Sequence, residues 1–139
     1  MAIEMRGLVP LLQVFDMNES LHFYCDVLGF EVLQRSPEVE TPEGRFSHWA
    51  LLRRGGAELM LNTAYDSGER PMTRDGAREQ GHGDTGLFIA CPDLDAAWRH
   101  LAERGIALPP PAETGYGMRQ LHLRDPDGFA LCLQWRAGG

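Results

Sequence analysis

The chain predicts an α+β protein built from two tandem βαβββ modules, and three observations carry that prediction. An aspartate precedes a helically spaced apolar pattern twice, at Asp16 and Asp93, and a glycine closes each pattern, at Gly29 and Gly105. Two pairs of β-compatible runs follow, FSHWALLRR with AELMLN and MRQLHLR with FALCLQW, each pair joined by a turn. The second pair echoes the first: with Gly56 set over Gly128, Leu59, Met60, Leu61 and Asn62 fall over Leu131, Cys132, Leu133 and Gln134. The offset drifts from 77 (Asp16 to Asp93) through 76 (Gly29 to Gly105) to 72 (Gly56 to Gly128), as a duplicated unit with loop deletions should show.

In the first module, residues 7–62, GLVPLLQVFD reads as an apolar strand. Asp16 then caps a helix in which Met17, Leu21, Tyr24, Val27 and Leu28 recur at helical spacing. Phe30 to Leu33 reads as a strand, followed by a polar loop containing Pro37, Thr41, Pro42 and Gly44. Gly55-Gly56 between FSHWALLRR and AELMLN marks a hairpin turn. Residues 63–84 are polar and glycine-rich, which suits a lid or a flexible linker. The second module, residues 85–135, begins with the strand TGLFIAC, and Asp93 caps a helix that sets Leu94, Ala97, Trp98 and Leu101 on one face. A short strand around Ile106 to Leu108, the loop PPPAETGYG, MRQLHLR, the turn Asp125-Pro126-Asp127-Gly128 and FALCLQW complete it.

A length of 139 residues suits one compact domain of two halves. Hydrophobic content of 43% with 24% charged residues is that of a soluble globular protein, and no apolar run reaches the ~20 residues that cross a bilayer. MAIEMRGLVP lacks the apolar core and cleavage site of a signal peptide, so a cytoplasmic location is expected. Cys25, Cys91 and Cys132 lie far apart in apolar segments and read as buried hydrophobes. A net charge of −7 argues against a nucleic-acid partner, whose binding needs a cationic footprint.

Asp16, Ser20, Phe23-Tyr24, Leu28-Gly29-Phe30, Asp93-Leu94-Asp95-Ala96-Ala97, Gly115-Tyr116-Gly117-Met118-Arg119 and Asp125-Pro126-Asp127-Gly128 together resemble the vicinal oxygen chelate superfamily. That superfamily includes glyoxalase I, extradiol dioxygenases, fosfomycin-modifying enzymes and bleomycin resistance proteins. The resemblance covers nearly the whole chain. It implies a half-open, barrel-like mixed sheet with its helices outside, enclosing a cavity, usually within a homodimer. Enzymatic members hold a divalent metal with His, Gln or Glu on the first and last strand of each module. The flanking motifs carry those places to Val9, Met60, Gly86 and Cys132. Two of these lack any side-chain donor and the others offer a thioether and a thiol, so no metal and no cofactor is expected, as in metal-free bleomycin-resistance-like members.

Strand alternation turns Leu59, Leu61, Leu131 and Leu133 toward the helices, leaving Met60, Asn62, Cys132 and Gln134 toward the cavity with Gln13 and Phe88. In the third strands Gln120 and His122 face inward, and the matched offset sends His48 inward and Trp49 to the core. Tyr116 falls near the mouth, in a glycine-flanked loop. The candidate ligand-binding residues are therefore Gln13, His48, Met60, Asn62, Phe88, Tyr116, His122, Cys132 and Gln134, with no catalytic residue and no metal ligand among them. Such a cavity would sequester a small amphipathic or aromatic compound, and the acidic balance favours a cationic one. Gln13, Asn62, Gln134 and His122 would orient it. The alternative is a metal-dependent glyoxalase-like lyase or isomerase, or an extradiol-type dioxygenase, with displaced ligands; a metal-free isomerase using His122 as base is a variant of it. A scaffold that only pairs with another protein is the third reading.

Overall fold

The structure is a computed structural model that describes residues 2–138. The chain divides between Met72 and Thr73 into two compact units.

In the first unit, β1 (Leu11–Val14) leads to Asp16, whose side chain accepts a hydrogen bond from the Glu19 amide and so caps α1 (Met17–Leu21). The helix continues without a break as a π-helical stretch, His22–Val27. Its wider turn buries the consecutive Phe23 and Tyr24 together, with ring centroids 5.1 Å apart edge to face. Gly29, at φ +89°, ends it as expected. β2 (Glu31–Arg35) follows. The polar loop predicted next contains a small hairpin of its own, β3 (Val39–Thr41) and β4 (Gly44–Phe46), tied by Arg45 to Glu38 and Glu40. β5 (Trp49–Arg54) and β6 (Ala57–Thr63) complete a four-stranded sheet in the order β1-β6-β5-β2, with β1 parallel to β6. Its buried face carries Leu12, Val14, Ala50, Leu52, Leu59 and Leu61.

The second unit begins within the segment expected to be a linker. Residues 76–82 form α2 (Gly76–His82), capped by the Asp75 carboxylate, which accepts from the Ala77 and Arg78 amides. The helix is seated on the Asp125–Gly128 turn. Arg74 Nη1 donates to Pro126 O at 3.0 Å, His82 Nδ1 donates to Asp127 O at 2.7 Å, and the His82 ring stacks on Phe129 at 4.0 Å. β7 (Gly86–Ala90) precedes α3 (Leu94–Glu103), capped by Asp93 through the Ala96 amide and closed by Gly105 at φ +79°. The strand expected around Ile106 to Leu108 does not form. Leu108 O instead accepts from Trp98 Nε1 at 2.9 Å, which pins that segment to the helix, and pairing resumes only at β8 (Ala112–Glu113). β9 (Met118–Arg124) and β10 (Ala130–Arg136) give the sheet order β7-β10-β9-β8, with β7 parallel to β10. Arg119 ties β9 to α3 by donating to Asp95 at 3.1 Å, and the guanidinium lowers the Asp95 carboxyl. No helix among the described residues is long and apolar enough to cross a membrane.

Candidate functional site

Each sheet buries one face, and the other carries the candidate residues that lie on its strands. Residues paired across neighbouring strands share a face. In the first unit the register therefore aligns Gln13, Asn62 and Trp49 in one row and Leu11, Met60 and Leu51 in the next. Asn62 Nδ2 donates to Gln13 Oε1 at 3.3 Å and to Thr63 O at 3.2 Å. Leu11 remains 44% exposed.

That register corrects two expectations. Trp49 lies on the open face opposite Asn62, and it is Ala50 and Leu52 that are buried behind the sheet. His48 precedes the strand. Its Nδ1 bonds the Thr63 hydroxyl, its Nε2 lies 3.0 Å from Ser67 Oγ, and the ring meets Phe46 edge to face at 5.2 Å. Both ring nitrogens are thus engaged away from the Gln13–Asn62 row. The cause is the turn: Arg53 faces Glu58 where Arg124 faces Ala130, and the second turn holds one residue more between those equivalent rows. One extra residue reverses the facing of every side chain when one strand is mapped on the other.

In the second unit the equivalent rows are Ala90, Gln134 and Gln120, then Phe88, Cys132 and His122. Gln120 is 8% exposed and holds a polar cluster together. Its Nε2 donates to Tyr116 Oη at 2.9 Å and to Gln134 Oε1 at 3.1 Å, while His122 Nε2 lies 3.1 Å from its Oε1. Three predicted residues, Tyr116, His122 and Gln134, thus meet around one that the sequence placed on this face without marking as a site residue. Its fixed spacing from His122 and its pairing with Gln134 were readable; the loop that brings Tyr116 back was not. Phe88 is 60% exposed, its ring against Gly86, where an added methyl would come within 3.3 Å of it. Cys132 is 3% exposed and burial pushes its thiol up, so the side chain is a neutral, poorly nucleophilic group.

The donor set does not fit the divalent ion that catalytic relatives hold. Val9 and Gly86 have no donor, and Met60 lies between Leu11 and Leu51. The cleft around Val9 contains Glu58, a single carboxylate, together with Arg6. Among the described residues no three of His, Cys, Asp and Glu gather into a cluster that could bind a metal.

Paired βαβββ units, each an open sheet backed by a helix and each bearing candidate side chains on its free face, define a class of protein. Residues 8–133 match the Glyoxalase/Bleomycin resistance protein/Dioxygenase superfamily, and the chain belongs to it. Among solved structures it is similar to TnmS3, an antibiotic binding protein from Streptomyces sp. CB03234, at 26% identity over 98% of this chain and 100% of that one, with a TM-score of 0.69. A glyoxalase/bleomycin resistance protein from the same strain is 28% identical over 91% of this chain and 97% of that one, with a TM-score of 0.62. TioX from Micromonospora sp. ML1 shares the fold, at 23% identity over 96% and 98% of the two chains and a TM-score of 0.67.

Proposed function

We propose that this chain binds and sequesters a small amphipathic or aromatic compound on the open faces of its sheets, making and breaking no bond. The observation that carries this is the chemistry of those faces. Leu11, Leu51, Met60, Trp49 and Phe88 supply apolar surface, and the Gln13–Asn62 pair and the Tyr116–Gln120–Gln134–His122 cluster supply a few placed polar groups. Desolvating a planar ligand against such a surface gives affinity, and the polar groups give orientation. Similarity to TnmS3, described as an antibiotic binding protein, supports the same reading. We take the protein to act in the cytoplasm as a homodimer with no nucleic-acid partner; a single-chain mass in sedimentation velocity would remove the dimer.

Trp49 offers the test. In a Trp98→Phe/Trp135→Phe variant it is the sole tryptophan, and a saturable change in its emission with planar aromatic compounds is the expected result. Metal content after purification without chelator separates this from catalysis. About one equivalent of nickel, zinc, manganese or iron per chain would favour the metal-dependent lyase, isomerase or dioxygenase instead.

A further inference from the structure

The Gln120 cluster has a direction. A carboxamide carries two donor hydrogens on nitrogen and an acceptor oxygen, and a buried N–H left without a partner costs more than a carbonyl with a spare lone pair. Gln120 is enclosed by three polar neighbours. With Nε2 toward Tyr116 and Gln134, both hydrogens are used and Oε1 accepts from His122 Nε2. Turned over, the amide would place its oxygen between Tyr116 and Gln134 and give one hydrogen to His122, and the second hydrogen would have no partner. The first arrangement is the one the structure adopts, and no buried side-chain nitrogen or oxygen in the described residues lacks a bond.

Tyr116 and Gln134 are thereby committed as acceptors on their inner sides, whereas His122, donating through Nε2, keeps Nδ1 as an acceptor. The Tyr116 phenol accepts from Gln120, so its own hydrogen is left to point outward. Gln134 accepts through Oε1, so its NH2 is left outward. Tyr116 is 70% exposed, and the exposed Phe88 ring belongs to the same open face. We infer that Gln120 polarises the Tyr116–Gln134 edge of this face to present hydrogen-bond donors, making that edge a subsite for the carbonyl-type acceptor oxygens of a planar ligand. This rests on the binding function proposed above and specifies which ligands that function selects. It also narrows the expectation from net charge: selection at this face turns on acceptor oxygens and does not require a cation.

Three tricyclic probes of nearly one shape separate the two ideas: fluorene, with no polar group; 9-fluorenone, with a carbonyl acceptor; and carbazole, with an N–H donor. The wild-type protein should bind 9-fluorenone on the order of fivefold more tightly than fluorene, the worth of one hydrogen bond. Gln120→Glu keeps the shape but replaces the amide nitrogen with a second acceptor oxygen. Tyr116 and Gln134 must then donate inward and accept outward, and the preference should reverse to carbazole. Tyr116→Phe removes one of the outward donors and should lower 9-fluorenone affinity about threefold. Circular dichroism establishes that each variant is folded. Equal binding of all three probes by the wild type would overturn the polarity and leave the binding function standing; so would a Gln120→Glu variant that still prefers 9-fluorenone. Failure of all three probes to bind would overturn both.

Discussion

Row for row, the two sheets place unlike side chains on one backbone plan. Behind them, Leu59 and Leu61 in the first unit correspond to Leu131 and Leu133 in the second, and all four are buried. In front, Gln13, Asn62 and Trp49 stand where the second unit has Ala90, Gln134 and Gln120, and Leu11, Met60 and Leu51 stand where it has Phe88, Cys132 and His122. The buried face must pack against a helix, which restricts it to aliphatic side chains. The open face has no such partner within its unit. The first is an apolar strip with one amide pair and an indole; the second surrounds a buried amide with a phenol, an imidazole and another amide.

The hairpin turns differ as well, and here the largest effect is expected. Gly128, at φ +85°, would put an added Cβ 2.3 Å from the Glu79 carbonyl oxygen of α2, whereas Gly55, at φ +56°, has nothing within 4 Å. Gly128→Ala therefore combines a left-handed backbone penalty with a clash against main chain, and should lower stability by about 3 kcal/mol or more in urea unfolding. Gly55→Ala meets the backbone penalty alone and should lose about 1 kcal/mol. Equal losses would show that α2 is not seated on the second turn. The next effect in size is at His82, which has no counterpart on the Gly55-Gly56 turn. His82→Ala removes both the stacking on Phe129 and the bond to Asp127 O, and should lose about 1–2 kcal/mol by the same measurement.

The same turns explain what was legible in the sequence. Asp16 and Asp93 announced their helices because a cap is a local event: a carboxylate, an amide three residues on and a glycine to finish. The apolar alternation of β6 and β10 likewise gave their buried faces, and the superfamily motifs lie at those same caps and turns. What failed was non-local. The β3–β4 hairpin is held by Arg45 between two glutamates and has no apolar period to betray it. The helix α2 has no buried residue, and its anchorage on Asp125–Gly128 lies far along the chain. Trp49 lies on the side opposite to that expected from the motif-based offset because the two hairpin turns differ by one residue.

The smallest effect concerns the thiols. Burial is the leading cause that pushes Cys25 in the first unit and Cys132 in the second above the ordinary value of 9.0, and the charge of Asp26 adds to it at Cys25. At Cys25 and Cys132 the folded chain thus favours the neutral thiol, while the unfolded chain ionises at the ordinary value. That preference stabilises the fold fully below the ordinary value and is lost as pH rises through it toward the folded one. Wild-type stability should therefore fall between pH 8 and pH 10 more steeply than that of Cys132→Ala, read as the shift in urea midpoint. Access distinguishes the two units further: Cys25 is half-buried and Cys132 is 3% exposed. Iodoacetamide at pH 8 should alkylate Cys25 about tenfold faster than Cys132, since the thiolate must both form and be reached. Equal rates would mean that Cys132, between Phe88 and His122, is as open to solvent as Cys25 on the helix of the first unit.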